Sequence, residues 1–401
     1  MHILVLSQYY WPETFRITEV VQALKDEGCE VLVLTGQPNY PDGVPFAGYS
    51  WWSMGAEVHE GVTILRVPLF PRGNGSVIRL ALNYLSFILT ATIFGPWLLR
   101  RHPIDKIFVF GMSPILQAIP GIWLSRLKKA SLITWVQDLW PESLRAAGYV
   151  NNESILRIVS KIVSWIYDKS DLVLVQSQAF VKSVQEMSGK TVVKYHPNPG
   201  DFAFNHTNIE QGCPVLFEPG FNVLFAGNMG TVQSLETIIS AAEILRFDKS
   251  IRFVMVGGGS RLEWLKLEIE RRNLENVQLP GRFPLALMPS IMAGASVLLV
   301  SLIKSEIMSL TIPSKVQAYL AAGKPIIASL DGEGARVIIE SGAGLAVPAE
   351  DASRLADAIT TLKEKSDAEL MQMGNSGRTY YERNFEPRLL ATKLKSLLLA
   401  T

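Results

Sequence analysis

Two segments of this 401-residue chain set a carboxylate beside a Trp-Pro pair: Gln8-Tyr-Tyr-Trp-Pro-Glu13 and Gln137-Asp-Leu-Trp-Pro-Glu142-Ser143. Each follows a short apolar, β-branched run, so Glu13 and Asp138 fall where a strand ends. A carboxylate in that place can move or hold a hydroxyl proton or bind a sugar, with Trp11 and Trp140 offering apolar faces. Plainer roles stay open. Asp138 can cap the helical turn that begins near Pro141, and Glu13 can complement the dipole of the helix that follows it.

Other segments suit anions. In Ser305-Glu-Ile-Met-Ser-Leu-Thr-Ile-Pro-Ser-Lys315, the residues Thr311, Pro313 and Ser314 gather at the start of a helix, with Lys315 on its first turn. Free backbone N–H groups, a hydroxyl and an ammonium together suit a diphosphate. A cation at a helix N-terminus opposes the macrodipole, which makes sense with an anion bound; simple solvation of Lys315 is the competing reading. In Val223-Leu-Phe-Ala-Gly-Asn-Met-Gly230, followed by Thr231-Val-Gln233, Gly227 and Gly230 let backbone amides approach an anion at a strand-to-helix turn. Gly257-Gly-Gly259-Ser260 repeats that arrangement. Neither is GxGxxG, so a purely structural turn competes at both.

Other chemistries lack their residues. His196 stands alone before a proline, where a histidine is more often structural, and no HxxxH, CxxC or carboxylate cluster suggests a metal. There is no GxSxG and no GK[ST] phosphate loop. Cys29 and Cys213 cannot make a disulfide framework.

The elements that must hold these residues alternate. His2–Leu6, Val31–Thr35, Ile107–Phe110, Leu132–Val136 and Leu172–Val175 read as parallel strands buried on both faces. Helical patterns at Thr14–Glu27, Ile115–Lys128 and Glu153–Lys169 lie between them. A linker-like stretch runs from His196-Pro-Asn-Pro-Gly200 through Gln211-Gly-Cys-Pro214 to Glu218-Pro-Gly220, and the alternation restarts. Strands at Asn222–Ala226, Ile251–Val256, Val297–Ser301 and Ile326–Ser329 alternate with helices at Leu235–Phe247, Arg261–Asn273, Lys315–Ala322 and Ser353–Glu364. The pattern predicts an α/β chain of two doubly wound domains, residues 1–200 and 201–385. A final helix within 386–401 is amphipathic enough to pack back on the body, and ligands are expected at the carboxyl ends of the strands.

Charge is balanced overall and uneven along the chain. The 38 Lys and Arg against 37 Asp and Glu give +1, which argues against nucleic acid as a partner. With 48% hydrophobic and 19% charged residues the chain can bury enough surface to fold, and disorder is excluded. Residues 1–200 carry eighteen bases and fifteen acids, while 201–401 carry twenty and twenty-two. From Gly61 to Gln137 there are nine bases (Arg66, Arg72, Arg79, Arg100, Arg101, Lys106, Arg126, Lys128 and Lys129) against Asp105 alone.

The same window holds Leu80–Leu99, twenty residues without a charge, flanked by Arg79 and by Arg100–Arg101. Its length suits a transmembrane helix. Asn83, Ser86 and Thr90 form one polar stripe at helical spacing, and strand–helix alternation resumes directly afterwards. The expected reading is a helix of residues 77–101 pressed onto a membrane surface, its basic rim drawn to anionic lipid. A buried domain helix and a true span are the alternatives. The opening Met1-His-Ile-Leu-Val-Leu-Ser7 has no basic stretch and does not read as a signal peptide.

At these residues the chain resembles the retaining, family-four glycosyltransferases of GT-B architecture. The resemblance is carried by Tyr9-Tyr-Trp-Pro-Glu13, Gly36-Gln-Pro-Asn-Tyr-Pro-Asp-Gly43, Trp135-Val-Gln-Asp-Leu-Trp-Pro-Glu-Ser143, Ala226-Gly-Asn-Met-Gly230, Pro313-Ser-Lys315 and Tyr319-Leu-Ala-Ala-Gly-Lys-Pro325, in an order that covers almost the whole chain. The sub-branch it is similar to is the bacterial N-acetyl-L-fucosaminyl transferases of O-antigen and capsule assembly. The resemblance implies a nucleotide-sugar donor, a UDP-sugar, in the C-terminal domain and an acceptor in the N-terminal domain. It implies transfer with retention, without metal or cofactor, onto a saccharide carried by a polyprenyl diphosphate at the inner face of the bacterial inner membrane.

The catalytic set it implies is Asp138, Glu13 and Lys315. The donor-binding set is Gly227, Asn228, Met229, Gly230, Gln233, Gly257, Arg282, Glu306, Thr311, Ile312, Pro313 and Ser314. Many relatives carry an Arg and a Lys after the first C-domain strand, where Asn228 and Gln233 stand here, and a Glu where Ala318 stands. Lys315 with loop amides is therefore the expected diphosphate binder. A rhamnosyl- or mannosyl-transferase, a nucleotide-sugar 2-epimerase and a non-catalytic membrane scaffold are the other readings.

Overall fold

The computed structural model describes residues 1–146, 152–200 and 212–401. Segment 201–211, which contains the middle of the expected linker, lies outside the described residues. The chain divides into two compact units, Met1–Asn198 with Leu390–Thr401, and Pro199–Leu389.

The first unit is built on an eight-stranded sheet of β1 (His2–Leu6), β2 (Glu30–Thr35), β3 (Gly55–His59), β4 (Val62–Arg66), β5 (Lys106–Gly111), β6 (Ser131–Val136), β7 (Leu172–Val175) and β8 (Val192–Tyr195). Their order is β3-β4-β2-β1-β5-β6-β7-β8, parallel except for the β3–β4 hairpin. The central strands are apolar runs with almost no exposed surface, as parallel strands covered on both faces must be. Strand order reverses between β1 and β5, so the loops leaving these two strands diverge and open a crevice at their carboxyl ends. Both Trp-Pro segments lie on that edge, after β1 and after β6. The expected Ile115–Lys128 helix divides into a 3-10 turn, Ile115–Ala118, and an α-helix, Ile119–Lys128. Pro120 in the first α-helical turn has no N–H to give to the preceding turn.

The second unit has six parallel strands, β9 (Phe221–Asn228), β10 (Ile251–Gly258), β11 (Val277–Gly281), β12 (Val297–Ser301), β13 (Ile326–Ser329) and β14 (Gly344–Val347). Their order is β11-β10-β9-β12-β13-β14, with the reversal between β9 and β12. The loops after those two strands are joined by a hydrogen bond from Ile303 N to Val232 O at 3.0 Å. The fold is therefore α/β with two parallel-sheet, Rossmann-like units, the GT-B architecture.

The apolar run is the helix Val77–Leu98, and it is inside out. Leu80, Asn83, Phe87, Ala91 and Gly95 face the protein, whereas Ile78, Leu82, Leu85, Leu89, Ile93 and Trp97 form an exposed stripe along the opposite face. The polar residues are the inward glue. Asn83 Oδ1 accepts from Gln8 Nε2 at 2.7 Å and Tyr9 OH at 2.9 Å. Ser86 Oγ accepts from Phe70 N at 2.9 Å, and Thr90 Oγ1 donates to Pro68 O at 2.7 Å. The basic segment is only partly a surface. Arg66 is buried against Glu57 at 2.5 Å, and Lys128 turns its ammonium onto the carbonyls of Leu99 and His102. Arg79, Arg100, Arg101, Arg126 and Lys129 remain exposed.

The last helix, Pro387–Leu399, belongs from Leu390 onward to the first unit. Its Leu394 and Leu398 are buried in one cluster with Ile3, Val5, Leu24 and Trp135. Thr392 Oγ1 donates to Glu27 Oε1 at 2.9 Å, and the Lys395 ammonium donates to the Glu27 carbonyl.

Candidate active site

The half-site of the second unit is a glycine edge covered by two cations. Gly227 and Gly257 are paired in register at the ends of β9 and β10, with φ of +127° and +136°. A Cβ on Gly257 would stand 1.9 Å from the Gly227 carbonyl, so side chains are excluded here by contact as well as by conformation. The Lys315 side chain lies over Gly227, where a Cβ would meet its Cε at 2.8 Å. Arg282 lies over the neighbouring Gly258, its Nε 2.5 Å from where a Cβ would be.

Lys315 is held from several sides. It stands on the first turn of the helix Ser314–Ala322, whose Tyr319 binds β9 through both Ala226 N (3.0 Å) and Ala226 O (3.2 Å). The ammonium donates to Gln233 Oε1 at 2.8 Å and sits 3.6 Å from the centre of the Phe225 ring. Among the described residues neither Lys315 nor Arg282 has a carboxylate partner. Burial pushes the Lys315 ammonium down to about 7. A largely enclosed ammonium with one neutral acceptor is an incomplete arrangement that an anion would complete.

The other donor-side residues divide. Asn228 is exposed at the end of β9, its side chain beside Gly230 and Gly259. Gly230 accepts from Gln233 N at 3.3 Å, closing the turn that presents Gln233 to Lys315. One expectation is narrowed. The Met229 side chain is buried in the core, its N–H goes to Gly258 O at 2.9 Å and its carbonyl accepts from Arg261 N at 3.0 Å, so its amide donor is already bonded within the protein. The Ile312 side chain packs into the core beside Val316 and Tyr319, which leaves its backbone as the part that can serve the donor loop. Thr311 Oγ1 donates to Met308 O at 3.3 Å, Pro313 is the N-cap without a side-chain bond, and Ser314 is exposed on the first helical turn. Glu306 opens a short helix, exposed and outside every ion pair of the described residues. Ala318 packs against the core.

In the first unit the two carboxylates have different surroundings. Glu13 is 3% exposed. Its Oε1 accepts from the backbone N–H of Asn39 and of Tyr40, each at 2.7 Å, and its Oε2 from Tyr10 N at 3.3 Å. Burial raises its pKa to about 7 against the pull of these amides. Both oxygens of Glu13 are therefore engaged by loop amides, and it makes no cap bond to the helix that follows it. It sews the loop after β2 to the loop after β1, a structural task that the sequence reading did not assign to it.

Asp138 keeps freedom to act. Its Oδ2 accepts from Ser113 N at 3.1 Å, in the loop after β5, and Ser113 Oγ in turn accepts from Trp140 Nε1 at 2.8 Å. Burial raises the carboxyl above its ordinary range, with the Ser113 bonds opposing. The turn beginning near Pro141 is closed instead by Ser143 N to Leu139 O at 2.8 Å, so Asp138 is not its cap. The two tryptophans are not open sugar platforms: Trp140 is buried, and Trp11 is stacked on His59 at 4.0 Å. His196 is buried, and its pKa falls to about 4, so it is a neutral structural group. Among the described residues no three His, Cys, Asp or Glu side chains gather where they could hold a metal.

Sequence reasoning passed over the buried amide network of Gln8, Asn83 and Gln117, in which Gln8 N donates to Gln117 Oε1 at 2.8 Å. It also passed over Arg72, whose guanidinium lies 5.0 Å from the centre of the Tyr40 ring and 5.8 Å from that of Tyr9. Their only sequence signal was polarity inside apolar surroundings.

Known proteins resemble this chain in sequence and fold. A model of the glycosyl transferase 4-like domain matches residues 14–199, and one of the glycosyl transferases group 1 matches residues 220–365. The chain is 27% identical over 330 residues to WbjE of Pseudomonas aeruginosa, named as a glycosyltransferase, covering 79% of each chain. It is 28% identical over 343 residues to WcaI of Escherichia coli (strain K12), a glycosyl transferase named for colanic acid biosynthesis, covering 80% of this chain and 82% of WcaI. Among solved structures, Anabaena HepE in complex with UDP aligns with a TM-score of 0.69 at 15% identity, over 100% of both chains. Sucrose-phosphate synthase of Thermosynechococcus elongatus aligns with a TM-score of 0.70 at 18% identity, over 99% of this chain and 98% of that one. The two matched models lie on the two units in turn, and the chain belongs to the GT-B glycosyltransferases.

Proposed function

We propose that this glycosyltransferase moves a sugar from a UDP-sugar onto a saccharide carried by a polyprenyl diphosphate, with retention and without a metal, in bacterial surface-polysaccharide assembly. The observation that carries the reading is Lys315, a largely enclosed ammonium beside the bare Gly227–Gly257 edge, with a glutamine as its one hydrogen-bond acceptor. A donor diphosphate supplies the missing negative charge, and the uncapped start of the Ser314–Ala322 helix adds N–H donors. Anabaena HepE, with the same fold, was solved with UDP and with UDP-glucose, which supports a UDP-linked donor. The names of WbjE and WcaI support a polysaccharide product.

As the bond between sugar and diphosphate breaks, negative charge grows on the leaving phosphate oxygen, and Lys315 and Arg282 stabilise it there. The acceptor hydroxyl adds to the same face of the sugar, and its proton passes to that phosphate oxygen. Asp138, with Oδ2 fixed by Ser113, orients the hydroxyl or steadies positive charge on the ring. The sugar proposed is an acetamido-dideoxyhexose such as L-FucNAc, with rhamnose or mannose as alternatives. The exposed Ile78–Trp97 stripe and the Arg100–Arg101 rim support a peripheral site on the inner face of the inner membrane.

A donor screen with purified protein and a lipid-diphosphate GlcNAc acceptor, resolved by mass spectrometry, tests the reading. Sugar-nucleotide turnover without any acceptor would mark an epimerase instead. In the screen Asp138→Asn is expected to slow transfer at least about tenfold, ~1.4 kcal/mol of barrier. Wild-type turnover by the folded variant removes Asp138 from the mechanism.

A further inference from the structure

Two arginines, Arg72 and Arg79, belong to the short loop and first helical turn where the apolar stripe begins. Arg72 lies in the loop between β4 and the Val77–Leu98 helix. Its guanidinium is laid against Tyr40 and Tyr9, and its backbone N–H is tied to Asn39 Oδ1 at 3.0 Å. Arg79, on the first turn of that helix, folds back over Gly73, the residue next to Arg72: a Cβ on Gly73 would meet Arg79 Nη1 at 2.6 Å. Neither arginine forms an ion pair among the described residues. Two positive charges on one short segment without a carboxylate partner favour an anion, and aromatic stacking fixes the Arg72 charge in place. The helix start adds to the positive character. Ser76 makes no side-chain cap bond, and the first turn carries no acid. Two carboxylates come near this place: Glu13, whose oxygens are taken by amides, and exposed Asp42, which pairs with neither arginine.

We propose that Arg72 and Arg79 grip the diphosphate of the lipid-borne acceptor, an inference that rests on the lipid-acceptor reading above. Guanidinium matches phosphate oxygens in pairs, so two of them suit two linked phosphates. The position suits a lipid as well. Ile78 and Leu82, the first exposed residues of the stripe, follow directly, so a polyprenyl tail can enter the membrane beside the helix while its head meets the arginines. The saccharide beyond that head then lies toward Tyr9 and Tyr40, on the loops after β1 and β2. Arg72 binds substrate directly in this arrangement, and Asn83, through Tyr9, positions the floor beneath it.

The test uses the full chain and phosphatidylcholine vesicles carrying a few mole per cent of polyprenyl diphosphate, polyprenyl monophosphate or phosphatidylglycerol. Flotation is expected to show binding at least about tenfold tighter to the diphosphate lipid than to phosphatidylglycerol at equal charge. Arg72→Ala and Arg79→Ala should each reduce that preference at least about fivefold, and Arg72→Lys should restore part of it. Arg79 is exposed, so its variant keeps the test sound if Arg72→Ala fails to fold. Unchanged binding by Arg79→Ala and Arg72→Lys together, or an equal loss on phosphatidylglycerol, overturns the proposal, the latter marking a general basic surface. Equal binding of all three anionic lipids by the unaltered protein overturns it too. A diphosphate preference that both alanine variants lose, in a protein that transfers no sugar to any lipid, leaves the clamp standing and removes the transferase reading. Transfer to the lipid acceptor with an unchanged KM in both variants removes the clamp alone.

Discussion

Glu13 and Lys315 occupy comparable places, each in a connection that follows the carboxyl end of a strand in a parallel sheet, Glu13 in a loop and Lys315 on the first turn of a helix, and burial brings the pKa of each to about 7 from opposite directions. Their partners differ. Glu13 has three backbone N–H groups on its two oxygens. Lys315 has one glutamine oxygen and an aromatic face. A buried charge surrounded by donors is finished architecture, whereas a buried charge with a neutral partner leaves room for a ligand. The same sequence signal, an ionisable residue beyond a strand end, thus leads to a fully bonded group in one unit and, in the reading proposed above, a binding group in the other. What separates them is the number of protein atoms already bonded to the charge.

The contrast can be broken in three places. The largest effect is expected at Glu13→Ala, which strands the Asn39 and Tyr40 amides and should lower stability by about 3 kcal/mol in urea unfolding. A loss of activity without loss of stability would return Glu13 to the catalytic set. Next comes Lys315→Ala, expected to slow transfer at least about tenfold, ~1.4 kcal/mol, with unfolding little changed. The pH dependence of the unaltered protein sharpens this. The folded pKa of Lys315 lies near 7, below its unfolded value, so above about pH 7 the free enzyme carries a neutral amine and must take up a proton to bind an anion. Affinity for a UDP-sugar, whose diphosphate does not titrate in this range, should be flat below about 7. It should then weaken by up to about tenfold per pH unit above it. A flat calorimetric profile from pH 6.5 to 9 would sink that linkage, and Lys315→Ala should abolish the slope. For stability the sign is the reverse: the penalty of charged, buried Lys315 is full below about 7 and is relieved as pH rises toward the unfolded value. The smallest effect belongs to Arg282→Ala. This exposed second cation should contribute about threefold in donor affinity, ~0.7 kcal/mol. An effect equal to that of Lys315 would mean that both cations are enclosed when donor is bound.

Much of the frame was legible because its signals are local. The runs at His2–Leu6, Leu172–Val175, Val297–Ser301 and Ile326–Ser329 are strands over those same residues, since a strand buried on both faces is written as an uninterrupted apolar run. The β3–β4 hairpin was not read. Gly55-Ala-Glu-Val-His59 lies at the sheet edge, mostly exposed, and carries no such run. The site was legible in its residue types and only partly in their tasks. The sequence offered the Lys315 helix start and the Gly227 turn as two separate anion-suiting places, and only the fold lays Lys315 over Gly227. Glu13 could not be read, because its amide partners lie at Asn39 and Tyr40, on a loop that only tertiary folding brings to it. Met229 and Ile312 sit inside the right motifs with side chains aimed at the core, a choice of face that motif spacing does not record.

The return of the last helix to the first unit has a consequence for how the protein is made. Leu394 and Leu398 share a buried cluster with Ile3 and Val5, so the N-terminal core is missing part of its filling until residue 398 has left the ribosome. At about 5–20 residues per second, roughly two hundred further residues take about 10–40 s to synthesise, during which the first unit waits with an open seam. A stop codon near position 390 would leave the matched donor segment intact and still harm the opposite end of the sequence.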